Sequence, residues 1–141
     1  MKKNGFTLIE LLAVLVILAI IALIITPIVT NLIKDAREKA AKDAMEGLVN
    51  SAEIYYGRQV MKTDGTFNNN STLTLTFGSD GKATTTSTNV DSNIKFEYDG
   101  FKVTAGTVTI DRYGVISMSG VKINGYTCGY SSNTVTCTES A

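Results

Sequence analysis

Two places in this sequence combine residue types that could do chemistry or direct assembly. The first is Glu10, the only charged residue in the apolar run from Phe6 to Ile25. A carboxylate in hydrocarbon costs about 2–3 kcal/mol even on lenient insertion scales, so such a residue is a functional candidate by default. The alternative is that Glu10 is merely tolerated near the lipid headgroups. The second place is the pair Cys128 and Cys137 near the C-terminus.

The segment that must position Glu10 is apolar on every side apart from Thr7 and Glu10 itself. As a helix, Phe6–Ile25 would be about 30 Å long, which is the thickness of the hydrocarbon core of a bilayer. A helix without a polar face has to be covered all round by lipid or by other helices. A secretory signal has a shorter apolar region followed by a small-residue cleavage site, and no such site follows Ile25. The segment is therefore predicted to be a membrane anchor, a filament core, or each in turn.

The residues around the start of this segment read KKNGFTLIELL. This string resembles the N-terminal signal of type IV pilins and pseudopilins. The resemblance implies that a prepilin peptidase cuts between Gly5 and Phe6 and N-methylates Phe6. It also implies that Glu10 pairs with the N-terminal amine of a neighbouring subunit. Two charges that enter an apolar core are tolerated when they neutralise each other, so this pair would set register more than stability.

The same resemblance implies the partners and the location of the protein. The partners would be further copies of the chain, other pilins, the prepilin peptidase, an assembly ATPase and a platform protein of the inner membrane. The chain would first cross the cytoplasmic membrane once, with its N-terminus inside, and later lie in a filament at the cell surface. Basic residues flank both ends of the apolar run, so the orientation rests on the resemblance and not on the charge distribution.

Pro27 follows the apolar run and is expected to kink the helix, because it lacks the amide that would bond the carbonyl of Leu23. Kinks of this kind are also common and harmless in membrane helices. The resemblance implies that this part of the helix loosens when subunits pack into the filament. Beyond Pro27 the sequence becomes amphipathic, with oppositely charged side chains at i,i+4 on one face. The predicted apolar stripe consists of Ile33, Ala36, Ala40, Ala44, Leu48, Ala52 and Tyr55.

The rest of the chain has the composition of a β-rich domain. Alternating segments at Thr72–Phe77, Ile94–Tyr98 and Phe101–Ile110 predict strands, and Asp99–Gly100 predicts a hairpin turn between the last two. The sequence therefore predicts an α+β fold, in which a long N-terminal helix packs by its amphipathic second half on an antiparallel β-sheet head. The predicted segments are a leader (1–5), a transmembrane or filament-core helix (6–30), its amphipathic second half (31–62) and the head (63–141).

The two cysteines lie symmetrically about Ser132–Asn133, in the sequence YTCGYSSNTVTCT. A two-residue turn there places Cys128 opposite Cys137 in a non-hydrogen-bonded pair, where the β-carbons are close enough for a disulfide. The bond is expected if the domain lies outside the cytoplasm, and two buried thiols are the alternative. Zinc binding needs about four ligands, and the chain contains no histidine. No metal site is predicted.

Several classes of function find no support in the sequence. There is no catalytic motif and no histidine for acid–base chemistry, so neither an enzyme nor a cofactor is expected. Removal of Lys2 and Lys3 with the leader leaves 11 basic against 13 acidic side chains, which gives no general attraction to nucleic acid.

The leading hypothesis is a structural pilin subunit that polymerises through its N-terminal helix into a surface filament. One alternative is a pseudopilin of a type II secretion or competence system. A second alternative is a membrane-anchored binding domain that never polymerises.

Overall fold

The computed structural model describes residues 5–62, 72–85, 90, 94–96 and 101–140. The predicted leader residues 1–4 and the predicted Asp99–Gly100 turn lie outside them. The elements are α1 (Leu8–Lys62), β1 (Leu73–Phe77), β2 (Ala83–Thr84), β3 (Gly106–Ile110), β4 (Ile116–Ile123), β5 (Tyr126–Ser131) and β6 (Thr134–Glu139). This is the predicted α+β fold. The chain divides into two compact units, residues 1–37 and 38–141, and the division falls within α1.

Helix α1 continues through Pro27 and through Gly57, and ends at Lys62. A threonine before the proline and another after it each donate a hydrogen bond from the side-chain hydroxyl to a preceding backbone carbonyl. Thr26 Oγ1 donates to the carbonyl of Ala22 at 2.6 Å, and Thr30 Oγ1 donates to the carbonyl of Pro27 at 3.0 Å. Such bonds to a preceding carbonyl often accompany a bend in a helix. The kink at Pro27 stays a prediction.

In the N-terminal unit, the large apolar side chains of α1 lie in the open on all sides of the helix. Their exposed fractions range from 41% at Val29 to 85% at Leu8. By length and composition, this part of α1 is able to cross a membrane, and none of it is buried. This exposure agrees with the prediction that lipid or other helices must surround the apolar part of α1.

In the C-terminal unit, α1 buries one face against the sheet. The buried helical residues are Ala41, Ala44, Met45, Leu48, Val49, Ala52, Tyr55 and Gln59. The predicted stripe is therefore correct from Ala44 onward and wrong for Ile33, Ala36 and Ala40, which are exposed. Local periodicity identifies an apolar face but does not show how far along the helix a cover extends.

The six strands form one antiparallel sheet in the order β2-β1-β3-β4-β5-β6. Buried residues alternate with more exposed ones along β1 and within β3, β4 and β5, and the inward-facing residues join the helix face in one hydrophobic core. Tyr55 of the helix meets Phe96 edge-to-face with the ring centroids 5.8 Å apart, and Phe77 of β1 meets Phe96 at 5.5 Å. Phe96 thus links the helix to the sheet through aromatic contacts.

The predicted hairpin between Ile94–Tyr98 and Phe101–Ile110 is corrected by the pairing of the described parts. Ile94 bridges to Ala83, and β3 pairs with β1 on one side and β4 on the other. A hairpin about Asp99–Gly100 would place Val103 opposite Phe96, but Val103 bridges to Ile123 instead. The alternating pattern indicates strands but carries no information about their partners.

Strand β4 carries an irregularity that the sequence pattern does not reveal. The register with β5 shifts between Met118 and Val121, where β4 contains one residue more than β5. Gly120 takes a positive φ of 62° at this bulge. Gly106, at the start of β3, has a φ of 132°, and a Cβ there would lie 2.6 Å from the Cα of Val121. Only glycine allows the two backbones to approach so closely.

Candidate functional site

The predicted cleavage position lies just outside the helix. Gly5, Phe6 and Thr7 are irregular and exposed, and α1 begins at Leu8. The Phe6 side chain is 83% exposed. Exposed, irregular backbone is the form in which proteases cut a chain. The bond between Gly5 and Phe6 is therefore accessible in this conformation.

Thr7 and Glu10 bind each other across the first turn of α1. The Glu10 amide donates to Thr7 Oγ1, and the Thr7 amide donates to Glu10 Oε2, both at 3.3 Å. The Thr7 hydroxyl also lies 3.3 Å from Glu10 Oε2 and donates to it. This reciprocal arrangement is a capping box, with Thr7 as the N-cap and Glu10 three residues later. The carboxylate supplies a partner for the Thr7 amide, and the Glu10 amide is shared between Thr7 Oγ1 and the Thr7 carbonyl, which lies 3.1 Å away.

Glu10 thus has a role within its own chain as well as its predicted role between chains. Its negative charge lies at the positive end of the helix dipole, which is the favourable end for a carboxylate. An interpretation of Glu10 from its charge alone misses the cap. The signal was present in the sequence, since Thr7-Leu8-Ile9-Glu10 has the pattern of a threonine followed three residues later by glutamate before an apolar run.

The N-terminal residues match a known protein family. Residues 1–26 match the family described as the prokaryotic N-terminal methylation motif. This is the type IV pilin and pseudopilin signal. The match spans the predicted cleavage position, the capping box and the whole apolar run from Phe6 to Ile25, and the motif implies processing by a prepilin peptidase and assembly with other pilins. No curated protein and no solved structure gives a significant match to the chain.

The residues predicted to form the processing and assembly site lie within six consecutive positions, from Gly5 to Glu10. Gly5 and Phe6 precede the helix, and Glu10 lies in its first turn, where it is exposed. Pro27 lies almost five turns further along α1, so it is a separate feature of the helix and not part of the signal's chemistry. Cleavage at Gly5, methylation of Phe6 and pairing of Glu10 between subunits stay predictions.

The predicted cysteine pair lies at the far end of the chain and forms a disulfide. Strands β5 and β6 pair from Ser131 opposite Thr134 down to Cys128 opposite Cys137. The Cα atoms of the two cysteines are 4.1 Å apart, as expected for a non-hydrogen-bonded pair. Cys128 is buried, so the bond joins the edge hairpin to the core.

The turn of this hairpin has the backbone conformation that a two-residue loop requires. Ser132 and Asn133 have positive φ values of 51° and 59°. Two consecutive positive φ values define a type I′ turn, whose twist matches that of the flanking strands. The Tyr130 hydroxyl donates to Asn133 Oδ1 at 3.1 Å and holds the asparagine in place.

Surface cavities lie beside the helix in the described part of the C-terminal unit. One, of about 160 Å³, is lined by aromatic, apolar and basic side chains that include Tyr55, Arg58 and Lys95. The other, of about 230 Å³, lies between the helix and the cysteine hairpin and includes Glu46 and Glu53. Typical ligand pockets enclose about 300–1,000 Å³, so both are small for a bound metabolite. Within the described ranges, no group of three or more acidic, histidine or cysteine side chains is placed to hold a metal.

Proposed function

We propose that this chain is a structural subunit of a type IV pilus. In this proposal a prepilin peptidase removes residues 1–5 and methylates Phe6, and the processed chain polymerises through its N-terminal helix. The observation that carries the proposal is the exposed apolar surface of α1 in the N-terminal unit, where Glu10 is the only charged side chain from Phe6 to Ile33.

The apolar surface supports polymerisation because it suits two environments equally well. Before assembly, lipid covers the segment, which is long enough to span the bilayer. After assembly, the same surface is covered by the helices of identical neighbours. Burial between helices in a filament then replaces burial in lipid. The proposal places the chain in the cytoplasmic membrane first and at the cell surface afterwards.

Glu10 gives the assembly its register. A carboxylate leaving the membrane interface for an apolar core needs an opposite charge, and processing creates one at the amine of Phe6. A glutamate that accepts the amine of the neighbouring chain selects one stagger of the helices over the others. A repeated head-to-tail contact of this kind generates an open helical array that grows without limit. The assembly ATPase and the platform protein would supply the energy and the site for this growth.

The role we propose is structural and not enzymatic. The absence of histidine and of catalytic motifs from the sequence supports this assignment. Adhesion, motility or DNA uptake would then be properties of the whole filament.

The decisive experiment is mass spectrometry of the N-terminus in two fractions, sheared surface filaments and membranes. A main pilin predicts abundant sheared material that begins with N-methylated Phe6. Processed protein that stays in the membrane fraction, without sheared filaments, would assign the chain to the pseudopilins. Protein that keeps Met1 in the membrane would overturn the proposal in favour of an anchored binding domain.

A further inference from the structure

We propose that Asn124 is a site of spontaneous deamidation, at which the folded chain acquires a negative charge. The asparagine precedes Gly125 in the turn between β4 and β5. The reactants are the side-chain amide and water, and the products are an acidic residue and ammonia. The reaction needs no enzyme, and it depends neither on removal of the leader nor on polymerisation.

The turn between β4 and β5 leaves the reacting atoms free. Asn124 and Gly125 are both exposed, with positive φ values of 50° and 84°. Two such residues form a type I′ turn, for which Asn-Gly is a preferred sequence. Among the residues that the structure describes, none forms a hydrogen bond with the side-chain amide of Asn124 or with the backbone amide of Gly125. A reaction between these two groups therefore breaks no hydrogen bond of the fold.

The chemistry is an attack by the backbone of Gly125 on the side chain before it. The amide nitrogen of Gly125 loses its proton and bonds to Cγ of Asn124, and the side-chain nitrogen takes up a proton and leaves as ammonia. The product is a succinimide ring. Water then opens the ring at one of its two carbonyl groups, which gives either aspartate or isoaspartate. Glycine favours the attack because it has no Cβ to crowd the nitrogen.

The turn of the cysteine hairpin has the same backbone conformation but protects its asparagine. Asn133 is exposed and has a φ of 59°. Its Oδ1 accepts the hydrogen bond from the Tyr130 hydroxyl at 3.1 Å. The attacking amide would belong to Thr134, which is β-branched and pairs with Ser131 in the sheet. Asn124 is the first residue of its turn and Asn133 is the second, so only Asn124 precedes an amide outside the strand pairing.

Deamidation changes both the charge and the backbone at the turn between β4 and β5. The basic and acidic side chains of the chain are equal in number, so each conversion leaves a net negative charge. Isoaspartate also lengthens the main chain by one carbon, in a turn whose two residues fix the register of both strands. The Gly125 carbonyl accepts a hydrogen bond from the Ser140 amide at 2.8 Å, so the lengthened turn also disturbs the C-terminal residues.

The test follows both asparagines in the purified full-length protein, in detergent at neutral pH. No lysine or arginine follows Lys122, so trypsin releases Asn124 and Asn133 in one peptide. Tandem mass spectrometry then measures the replacement of the amide nitrogen by oxygen at each position. We expect Asn124 to react at least about tenfold faster, because the protection of Asn133 includes two hydrogen bonds, each worth up to about a tenfold change in rate.

Two references complete the experiment. A synthetic peptide with the sequence of residues 121–127 reports the rate without the fold, and Asn124 in the protein should react within about tenfold of it. Asn124→Ser removes the reacting amide, so the acidic form that ion exchange separates from the wild-type protein should not develop. Equal rates at Asn124 and Asn133, or an Asn124 that persists in the protein while the peptide reacts, would overturn the inference. So would an acidic form that develops in Asn124→Ser at the wild-type rate.

Discussion

The Glu10 carboxylate lies 3.3 Å from the backbone nitrogen of Thr7 in its own chain. The single charge of the apolar segment is thus already hydrogen-bonded before any neighbouring subunit arrives. If Glu10 pairs with the N-terminal amine of a neighbouring subunit, the new ion pair either forms beside the hydrogen bond to Thr7 or replaces it. A glutamate that is held in one orientation loses less side-chain freedom on pairing than a mobile one does.

Replacement of Glu10 by glutamine should therefore separate processing from assembly. The variant keeps the cap but cannot neutralise the amine of a neighbour. An unpaired charge in a buried site costs about 3–5 kcal/mol, so the yield of sheared filaments should fall by about 100-fold or more. The measurement is the amount of filament protein released by shearing, relative to the processed protein in the membrane. Glu53→Gln, at an exposed position of the same helix, should leave the yield unchanged. Wild-type amounts of filament from Glu10→Gln would refute the pairing.

Substitution of Leu48 measures how much the packing of the helix against the sheet stabilises the fold. Its side chain is fully buried in the core, whereas Ile54 on the same helix is 56% exposed. Leu48→Ala should lower the free energy of unfolding by about 2–5 kcal/mol, because it removes buried methyl groups and leaves a cavity. Ile54→Ala should change it by less than about 1 kcal/mol. Urea unfolding of the full chain in detergent measures both, and comparable losses for the two variants would contradict the packing.

Gly106 and Gly120 form a matched pair of glycines with positive φ. A Cβ at Gly106 would lie 2.6 Å from the Cα of Val121, whereas a Cβ at Gly120 would meet nothing within 4 Å. Gly120→Ala should therefore cost only the strain of the backbone conformation, about 1–2 kcal/mol. Gly106→Ala adds a collision with backbone and should cost about 3 kcal/mol or more. Thermal unfolding of the two variants measures which substitution costs more stability. A smaller loss of stability for Gly106→Ala than for Gly120→Ala would contradict the predicted close contact with Val121.

The disulfide between Cys128 and Cys137 closes a short loop, with a sequence separation of 9. Replacement of both cysteines by alanine should lower the free energy of unfolding by about 2–3 kcal/mol, as expected for a loop of this length. Reduction of the wild-type protein should give a similar loss, which serves as the control for the substitution itself. A denaturant midpoint that is insensitive to both treatments would show that the hairpin is held by its backbone bonds and its Ser132–Asn133 turn alone.

The amino-acid sequence by itself determined the features that depend on neighbouring residues. Glu10 within an apolar run, and Gly5 before Phe6, predicted the signal that the family comparison then identified. The spacing of Cys128 and Cys137 about a two-residue turn predicted their register, because a tight hairpin fixes the pairing of both strands. The capping box was equally readable, since its two residues lie within one helical turn.

Only the tertiary structure decided the contacts between distant segments. It placed Ile94 beside Ala83 and Gly106 against Val121, although nothing near either residue in sequence specifies its partner. It also set the start of the covered helix face at Ala41, where the sequence pattern predicted cover from Ile33 onward. The physical reason is that hydrophobic periodicity records which side of an element avoids water, whereas the element that covers this side is chosen by the packing of the whole chain.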